Sequence, residues 1–228
     1  MHRINAYKYI IYLLITIGIS CSGERKVQEN KDTAKTLAPE STKKEEIKHI
    51  IFFGNSLTAG YGVENSQAFT TLIQEIIDSL GLNYKVINAG LSGETTSGGK
   101  DRVNWVLRQK ADIFVLELGG NDGLRGISTE LTRSNLQFII DAVLAENQHT
   151  KIILAGMQVP PNMGQRYTSQ FKSIFTDIAA RNKVRLIPFL LEGVGGEPDL
   201  NLPDGIHPNE EGHKIVTQNV WSVLKEVL

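Results

Sequence analysis

From residue 47 onward, short apolar runs alternate with longer stretches in which apolar residues recur every three or four positions. Runs rich in β-branched or aromatic residues fall at Ile50–Phe53, Val86–Ile87, Ile113–Leu116, Ile152–Ala155 and Val184–Ile187. Near-continuous apolar segments predict strands of a parallel sheet covered on both faces, because a strand with one wet face alternates polar with apolar. The stretches between them read as helices. Phe69, Leu72, Ile73, Ile76, Ile77 and Leu80 form one stripe at helical spacing, with Ser66 as its expected N-cap and Gly81 as its stop. Leu136, Ile139, Ile140, Val143 and Leu144 repeat the stripe, as do Phe171, Ile174, Phe175, Ile178 and Ala179. Val216, Val220, Val223, Leu224 and Val227 close the chain in the same way. Five strand–helix units predict one doubly wound α/β domain over residues 47–228, with right-handed crossovers and no internal repeat.

The first 46 residues follow a different pattern. Residues 1–20 carry Arg3 and Lys8, no acid, and then the 12-residue apolar run Tyr9–Ser20. A helix needs about 20 apolar residues to cross a bilayer, so this run fits the core of a signal peptide instead. Gly18 and Ser20 precede Cys21, and the pattern resembles a bacterial lipoprotein signal, with Gly18 where that motif usually has Leu. Cys21 is then the expected lipid attachment point; an ordinary secretory signal and an uncleaved anchor are the alternatives. Ser22 after Cys21 favours, by analogy with other lipoproteins, export to an outer membrane. Residues 22–46 hold six basic and six acidic side chains and no aromatic, which predicts a disordered tether with a reach of roughly 30 Å.

Charge and cysteine content narrow the function classes. Among 228 residues, 24 basic side chains face 25 acidic ones, and without Arg3 and Lys8 the balance is 22 to 25. That lacks the basic excess of a nucleic-acid binder. Apolar residues at 41% and charged residues at 21% match a soluble globular domain with one sizeable core. The single cysteine excludes an internal disulfide and a Cys-rich metal site.

In open α/β sheets ligands sit beyond the carboxyl ends of the strands, so the chemistry is sought in the loops that follow them. The first is Gly54-Asn55-Ser56-Leu57-Thr58-Ala59-Gly60, a serine on a turn flanked by glycines. A serine hydroxyl is a poor nucleophile unless a base takes its proton. Of the five histidines, His2 lies in the signal, His49 beside the tether and His149 at a helix end, whereas His207 stands in Asp204-Gly205-Ile206-His207-Pro208 just before the last helix. A carboxylate three residues ahead of a loop histidine can accept its Nδ1–H and leave Nε2 free as the base. Two more loops supply oxyanion donors: Asn88-Ala89-Gly90-Leu91-Ser92-Gly93-Glu94-Thr95, and Gly119-Gly120-Asn121-Asp122-Gly123 with its Asn121 amide.

Gly54-Asn55-Ser56-Leu57, Gly93, Gly119-Gly120-Asn121-Asp122 and Asp204-x-x-His207 together resemble the four blocks of the SGNH (GDSL-type) hydrolases. The run Leu116–Gly126 is similar to the acyl-CoA thioesterase I/lysophospholipase L1 and arylesterase branch, and the resemblance covers about residues 48–228. It implies a three-layer α/β/α sandwich of the flavodoxin-like kind and an ester- or thioester-hydrolysing enzyme without metal or cofactor. It also implies Ser56 as nucleophile, His207 as base, Asp204 as its orienting acid, and Ser56 N–H, Gly93 N–H and Asn121 as the oxyanion hole. The first block of that family usually has Asp where this chain has Asn55.

Rival assignments are Asp199 for Asp204, His213 for His207 and Gly90 for Gly93. Asp122 reads as a loop cap, and Glu117 as a locally paired acid in a buried strand. Gly93–Lys100 imitates a phosphate loop, but Gly99 stands where the lysine belongs and no Ser or Thr follows to meet a magnesium ion. Neither a Gly-x-Ser-x-Gly elbow nor a His-Glu-x-x-His motif occurs. Met157, Pro160 and Met163, in the loop after the fourth strand, are either an acyl groove or a plain surface loop with Met157 in the core. The partners expected are a small acyl ester or thioester and, through the anchor, a membrane, with no nucleic acid or protein partner indicated. A carbohydrate O-acetyl esterase and a non-enzymatic envelope-anchored binding module are the other readings.

Overall fold

The computed structural model of the protein describes residues 46–228, so the expected signal, Cys21 and nearly all of the expected tether lie outside the described residues. The described part holds β1 (Lys48–Gly54), β2 (Tyr84–Gly90), β3 (Ile113–Glu117), β4 (Lys151–Ala155) and β5 (Arg185–Ile187). Its helices are α1 (Ser56–Ala59), α2 (Phe69–Ser79), α3 (Thr96–Val106), α4 (Gly120–Leu124), α5 (Thr129–Glu146), α6 (Gln165–Asn182) and α7 (Glu210–Leu224). All strand pairs are parallel, in the order β2-β1-β3-β4-β5. α2 and α7 pack together, α5 packs against both α3 and α6, and the sheet between the two helix layers completes the sandwich that the hydrophobic pattern predicts.

Burial follows the strand positions. Ile50, Ile51, Phe52 and Phe53 in β1 and the whole of β3 are shielded, whereas β2, an edge strand with one neighbour, is half-buried with Lys85 and Asn88 exposed. Aromatic rings fill the layers on either side. Phe52 meets Phe69 edge-on at 5.6 Å, and Phe53 lies 5.4 Å from Phe114. Deleting such a ring typically costs about 3–5 kcal/mol.

Two helix details differ from the expectation. Ser66 is not an N-cap: it sits in a 3-10 turn, and α2 starts at Phe69 with Ala68 ahead of it. The Phe69 N–H instead donates to Nδ1 of His213 on α7, at 3.2 Å, so a tertiary contact satisfies a helix end that a local cap usually serves. Leu80, expected on the buried stripe, lies past the end of α2 and is 58% exposed.

Candidate active site

The chain runs from β1 to β2 on one side and then returns to place β3 on the other side of β1. The loops after β1 and β3 therefore diverge and leave a crevice at the carboxyl end of the sheet, the position where doubly wound folds bind ligands. Ser56 follows β1 as the first residue of α1, and Asn121 follows β3 in α4.

His207 reaches the same crevice from the loop before α7. Asp204 begins a turn in which its Oδ1 accepts the Ile206 and His207 N–H groups, and Gly205 adopts φ +74°, a left-handed conformation. Leu202 N–H donates to the His207 carbonyl at 2.7 Å, and Asn209 caps α7 through the Gly212 N–H. The loop is thus held at both ends. His207 Nδ1 lies 2.8 Å from Asp204 Oδ2, and its Nε2 lies 2.8 Å from Ser56 Oγ. Burial acts to raise the Asp204 carboxyl, but the N–H of Ile206 and the bonds from His207 outweigh it and leave the group below its usual range. An ionised Asp204 can only accept, so Nδ1 of His207 carries the proton and Nε2 accepts from the serine hydroxyl.

Asn121 and Gly93 are held by bonds between α4 and the loop after β2. Asn121 Nδ2 donates to the Glu94 carbonyl at 3.0 Å, which leaves its second N–H unused by that bond. The Glu94 carboxylate is buried and takes two hydrogen bonds from Arg102, whose guanidinium lies 4.3 Å over the Phe53 ring. Gly93 has φ +80°, and Arg125 donates to its carbonyl at 3.1 Å. Gly93 itself is not among the residues lining the cleft, while Asn121 is.

The cleft has a volume of about 340 Å³ and contains Ser56, Asn121 and His207 in its wall. Most of the rest is apolar: Leu57, Leu124, Met157, Val159, Pro160, Pro161, Phe189, Leu191 and Ile206. Met157 is at once buried in the core and part of the wall, and Pro160 is an exposed lining residue. Met163 does not line the cleft. It is half-buried at the end of the 3-10 turn over Pro161–Met163, where its methyl approaches Gly126.

The rivals fall elsewhere. His213 is buried on α7 with Nδ1 occupied by Phe69, and burial pushes its pKa down to about 4. The backbone carbonyl of Asp199 accepts from Asn209. Gly90 ends β2 against α1, where an added Cβ would stand 2.3 Å from the Ala59 nitrogen. Asp122 is fully buried and accepts from the Thr96 N–H and hydroxyl and from Thr132, tying α4 to α3 and α5. Glu117, read as a paired acid in a buried strand, finds its partners in Asn55 and Thr58, with its carboxylate beneath the nucleophile turn. One neighbour escaped the sequence reading: Tyr61 packs on His207, a contact between separate loops that no spacing signal marks.

Comparison with known proteins agrees with this geometry. Residues 52–215 match the model of the GDSL-like lipase/acylhydrolase family. The chain is 39% identical to an esterase, TesA, of Pseudomonas aeruginosa over 78% of its length and 89% of that protein. It is 34% identical to an arylesterase of Vibrio mimicus, over 75% of this chain and 85% of the other. It is 36% identical to thioesterase 1/protease 1/lysophospholipase L1 of Escherichia coli, over 73% and 78%. A crystal structure of TesA superposes with a TM-score of 0.76 at 38% identity, over 79% of this chain and all of that one. With the motif blocks gathered at one crevice and the family model spanning most of the folded part, this chain belongs to the GDSL-like lipase/acylhydrolase family and is an ester hydrolase of the SGNH type.

Proposed function

We propose that this esterase hydrolyses acyl esters or thioesters with an extended apolar acyl group through an acyl-serine intermediate on Ser56. The observation that carries the reading is the line of two 2.8 Å contacts, Ser56 Oγ to His207 Nε2 and His207 Nδ1 to Asp204 Oδ2, opening onto a mainly apolar cleft. Ser56 Oγ attacks the carbonyl as His207 Nε2 takes its proton, and Asp204 holds the imidazolium in orientation. The Ser56 and Gly93 N–H groups and the Asn121 amide are the donors assigned to the oxyanion. Collapse breaks the bond to the alcohol or thiol, which takes the proton from His207. Water, activated by the same imidazole, then releases the acid.

The chemistry of the wall supports the acyl assignment: its apolar side chains, Leu124, Met157, Val159, Pro160 and Ile206 among them, outnumber the polar ones, which beyond Ser56, Asn121 and His207 are Asn55, Gln158 and Asn201. Turnover of p-nitrophenyl esters from acetyl to palmitoyl tests it, with Ser56→Ala and fluorophosphonate labelling alongside. Ser56-dependent turnover peaking beyond acetyl is expected; an acetyl-only profile points to carbohydrate deacetylation, and activity that survives Ser56→Ala overturns the nucleophile. Absence of both turnover and labelling returns the binding-module reading.

Export and lipid attachment through Cys21 belong to the same proposal and rest on the small-residue–Cys pattern after the apolar run. Labelled palmitate incorporated by the full chain and lost in Cys21→Ser is the expected result. Retention of label in that variant overturns it.

A further inference from the structure

Beneath the nucleophile turn lies a carboxylate that the reaction as described does not use. Glu117, the last residue of β3, is 1% exposed, and no ion pair involves it among the described residues. Its Oε2 accepts from Asn55 N–H at 3.1 Å, from Thr58 N–H at 3.3 Å and from the Thr58 hydroxyl at 2.8 Å. Its Oε1 accepts from Asn55 Nδ2 at 2.7 Å. Gly54 makes room for it: a Cβ there would stand 2.5 Å from Oε2. The opposite end of the Asn55 amide faces the nucleophile, with Oδ1 accepting from Leu57 N–H at 2.9 Å and lying 3.3 Å from Ser56 Oγ.

We propose that Glu117 and Asn55 are positioning residues for Ser56: the carboxylate fixes the amide with its NH₂ pointing down, so that Oδ1 shares the Ser56 hydroxyl with His207 Nε2. This rests on the reading of Ser56 as nucleophile. A flipped amide would aim N–H donors at both Ser56 Oγ and Leu57 N–H, losing the cap on α1 and placing two donors face to face. Three of the four partners of Glu117 are N–H groups, which can only donate, so the contacts match the carboxylate form. Burial works against that form and pushes Glu117 up to about 7, while the bonds from Thr58 and Asn55 oppose the rise. The groups facing the carboxylate are Asn55 and Thr58 of the α1 turn and the Gly54 backbone of β1.

This geometry needs residue 55 to donate to Glu117: the Asn55 amide does so at any pH, whereas the Asp usual at this position in the family does so only while the pair holds a shared proton. In Asn55→Asp, two carboxyl groups about 2.7 Å apart must share one proton. With that proton the turn keeps its geometry, and without it the pair repels and the turn moves.

The test is the pH dependence of kcat for a soluble p-nitrophenyl ester, measured on the parent, Asn55→Asp, Glu117→Gln and the double variant, with thermal melts as a folding control. The parent is expected to hold kcat on the alkaline side. Asn55→Asp is expected to gain an alkaline limb in kcat, losing roughly tenfold or more across it with KM little changed. Glu117→Gln, which sets NH₂ against NH₂, is expected to lose roughly 10- to 100-fold in kcat. The double variant exchanges the two groups: the amide then sits at the end of β3 and donates to a carboxylate on the α1 turn. One charge and one donor–acceptor pair are thereby restored, and the double variant is expected to recover most of kcat and to lose the alkaline limb. An Asn55→Asp profile identical to the parent's overturns the proposal, as does a double variant no better than Glu117→Gln alone. Should Glu117→Gln not fold, the near-isosteric Asn55→Asp decides by itself. Failure of Ser56 to label with fluorophosphonate in the parent tells instead against the nucleophile assignment.

Discussion

The ring of Tyr61 lies against the imidazole of His207, with centroids 4.7 Å apart and planes tilted by 44°. Tyr61 follows α1 and its N–H donates to the Ser56 carbonyl at 3.0 Å, so one residue touches both ends of the proton-transfer pair. An aromatic neighbour of this kind is worth about 0.5–1.5 kcal/mol, and more when the partner becomes cationic. Tyr61→Phe is expected to keep kcat, and Tyr61→Ala to lower it roughly three- to tenfold, in steady-state ester hydrolysis. Equal loss in both variants would assign the effect to the hydroxyl instead.

Asp204 and its rival Asp199 are separable by one pair of variants. Asp204→Asn puts an N–H donor where Nδ1–H needs an acceptor and favours the wrong tautomer, so kcat is expected to fall by about 10⁴. Asp199→Asn is expected to leave kcat within roughly twofold of the parent by the same ester assay, the scatter of surface substitutions.

Asn121→Ala is expected to reduce kcat by about 10² to 10³, the usual effect of losing one oxyanion donor. Arg102→Ala acts at one remove, by releasing the buried Glu94 whose carbonyl orients Asn121, and a smaller kcat loss with lowered thermal stability is expected. Chemical denaturation and ester kinetics on the same samples separate the two effects.

Gly90→Ala tests the close contact between β2 and α1. The added methyl meets backbone, at 2.3 Å from the Ala59 nitrogen and 2.7 Å from its Cα, which a side-chain rotation cannot relieve. A loss of at least about 1–3 kcal/mol in unfolding free energy is expected from urea titration, together with reduced turnover because α1 carries Ser56.

His213 gives a signed pH effect. Burial holds it neutral, with a pKa pushed down to about 4 from 6.5, so its protonation favours the unfolded chain. Its contribution is full above pH 6.5, declines as pH falls and levels off below about 4. Glu117, raised to about 7 from 4.5, acts in the opposite sense, favouring the folded state as pH falls between those values. The comparison of parent with His213→Asn isolates the histidine, because asparagine keeps an acceptor near the Nδ1 position and does not titrate. The parent's stability is expected to fall more steeply than the variant's between pH 6.5 and 4, by a total on the order of 3 kcal/mol.

The parts of the fold legible in the sequence are those whose signal is local. β1 and β3 read as strands because both faces are covered and every position from Ile50 to Phe53 and from Ile113 to Leu116 is apolar. α5 and α6 read as helices because one face of each is buried and the stripe repeats every turn. α3 left no such stripe: Gly98 and Gly99 fall within it, and Trp105 is 61% exposed. Gly99 is there because its missing side chain lets Leu118, Phe53 and Ile139 close over the helix, a need visible only after packing.

Residue types and block order in the sequence determined the class of this protein: a parallel α/β domain with a serine, an asparagine and an Asp-x-x-His each placed after a strand. Such features are short-range, set by side-chain periodicity and by turn chemistry within a few residues. Only the tertiary structure decided which groups meet. Ser56 and His207 are 151 positions apart, Asn55 and Glu117 are 62 apart, and Phe69 and His213 are 144 apart. No local rule couples positions that distant; the order β2-β1-β3-β4-β5 brings them together, and the surroundings so created set the charges: burial holds His213 neutral, hydrogen bonds hold Asp204 ionised, and His207 faces Ser56.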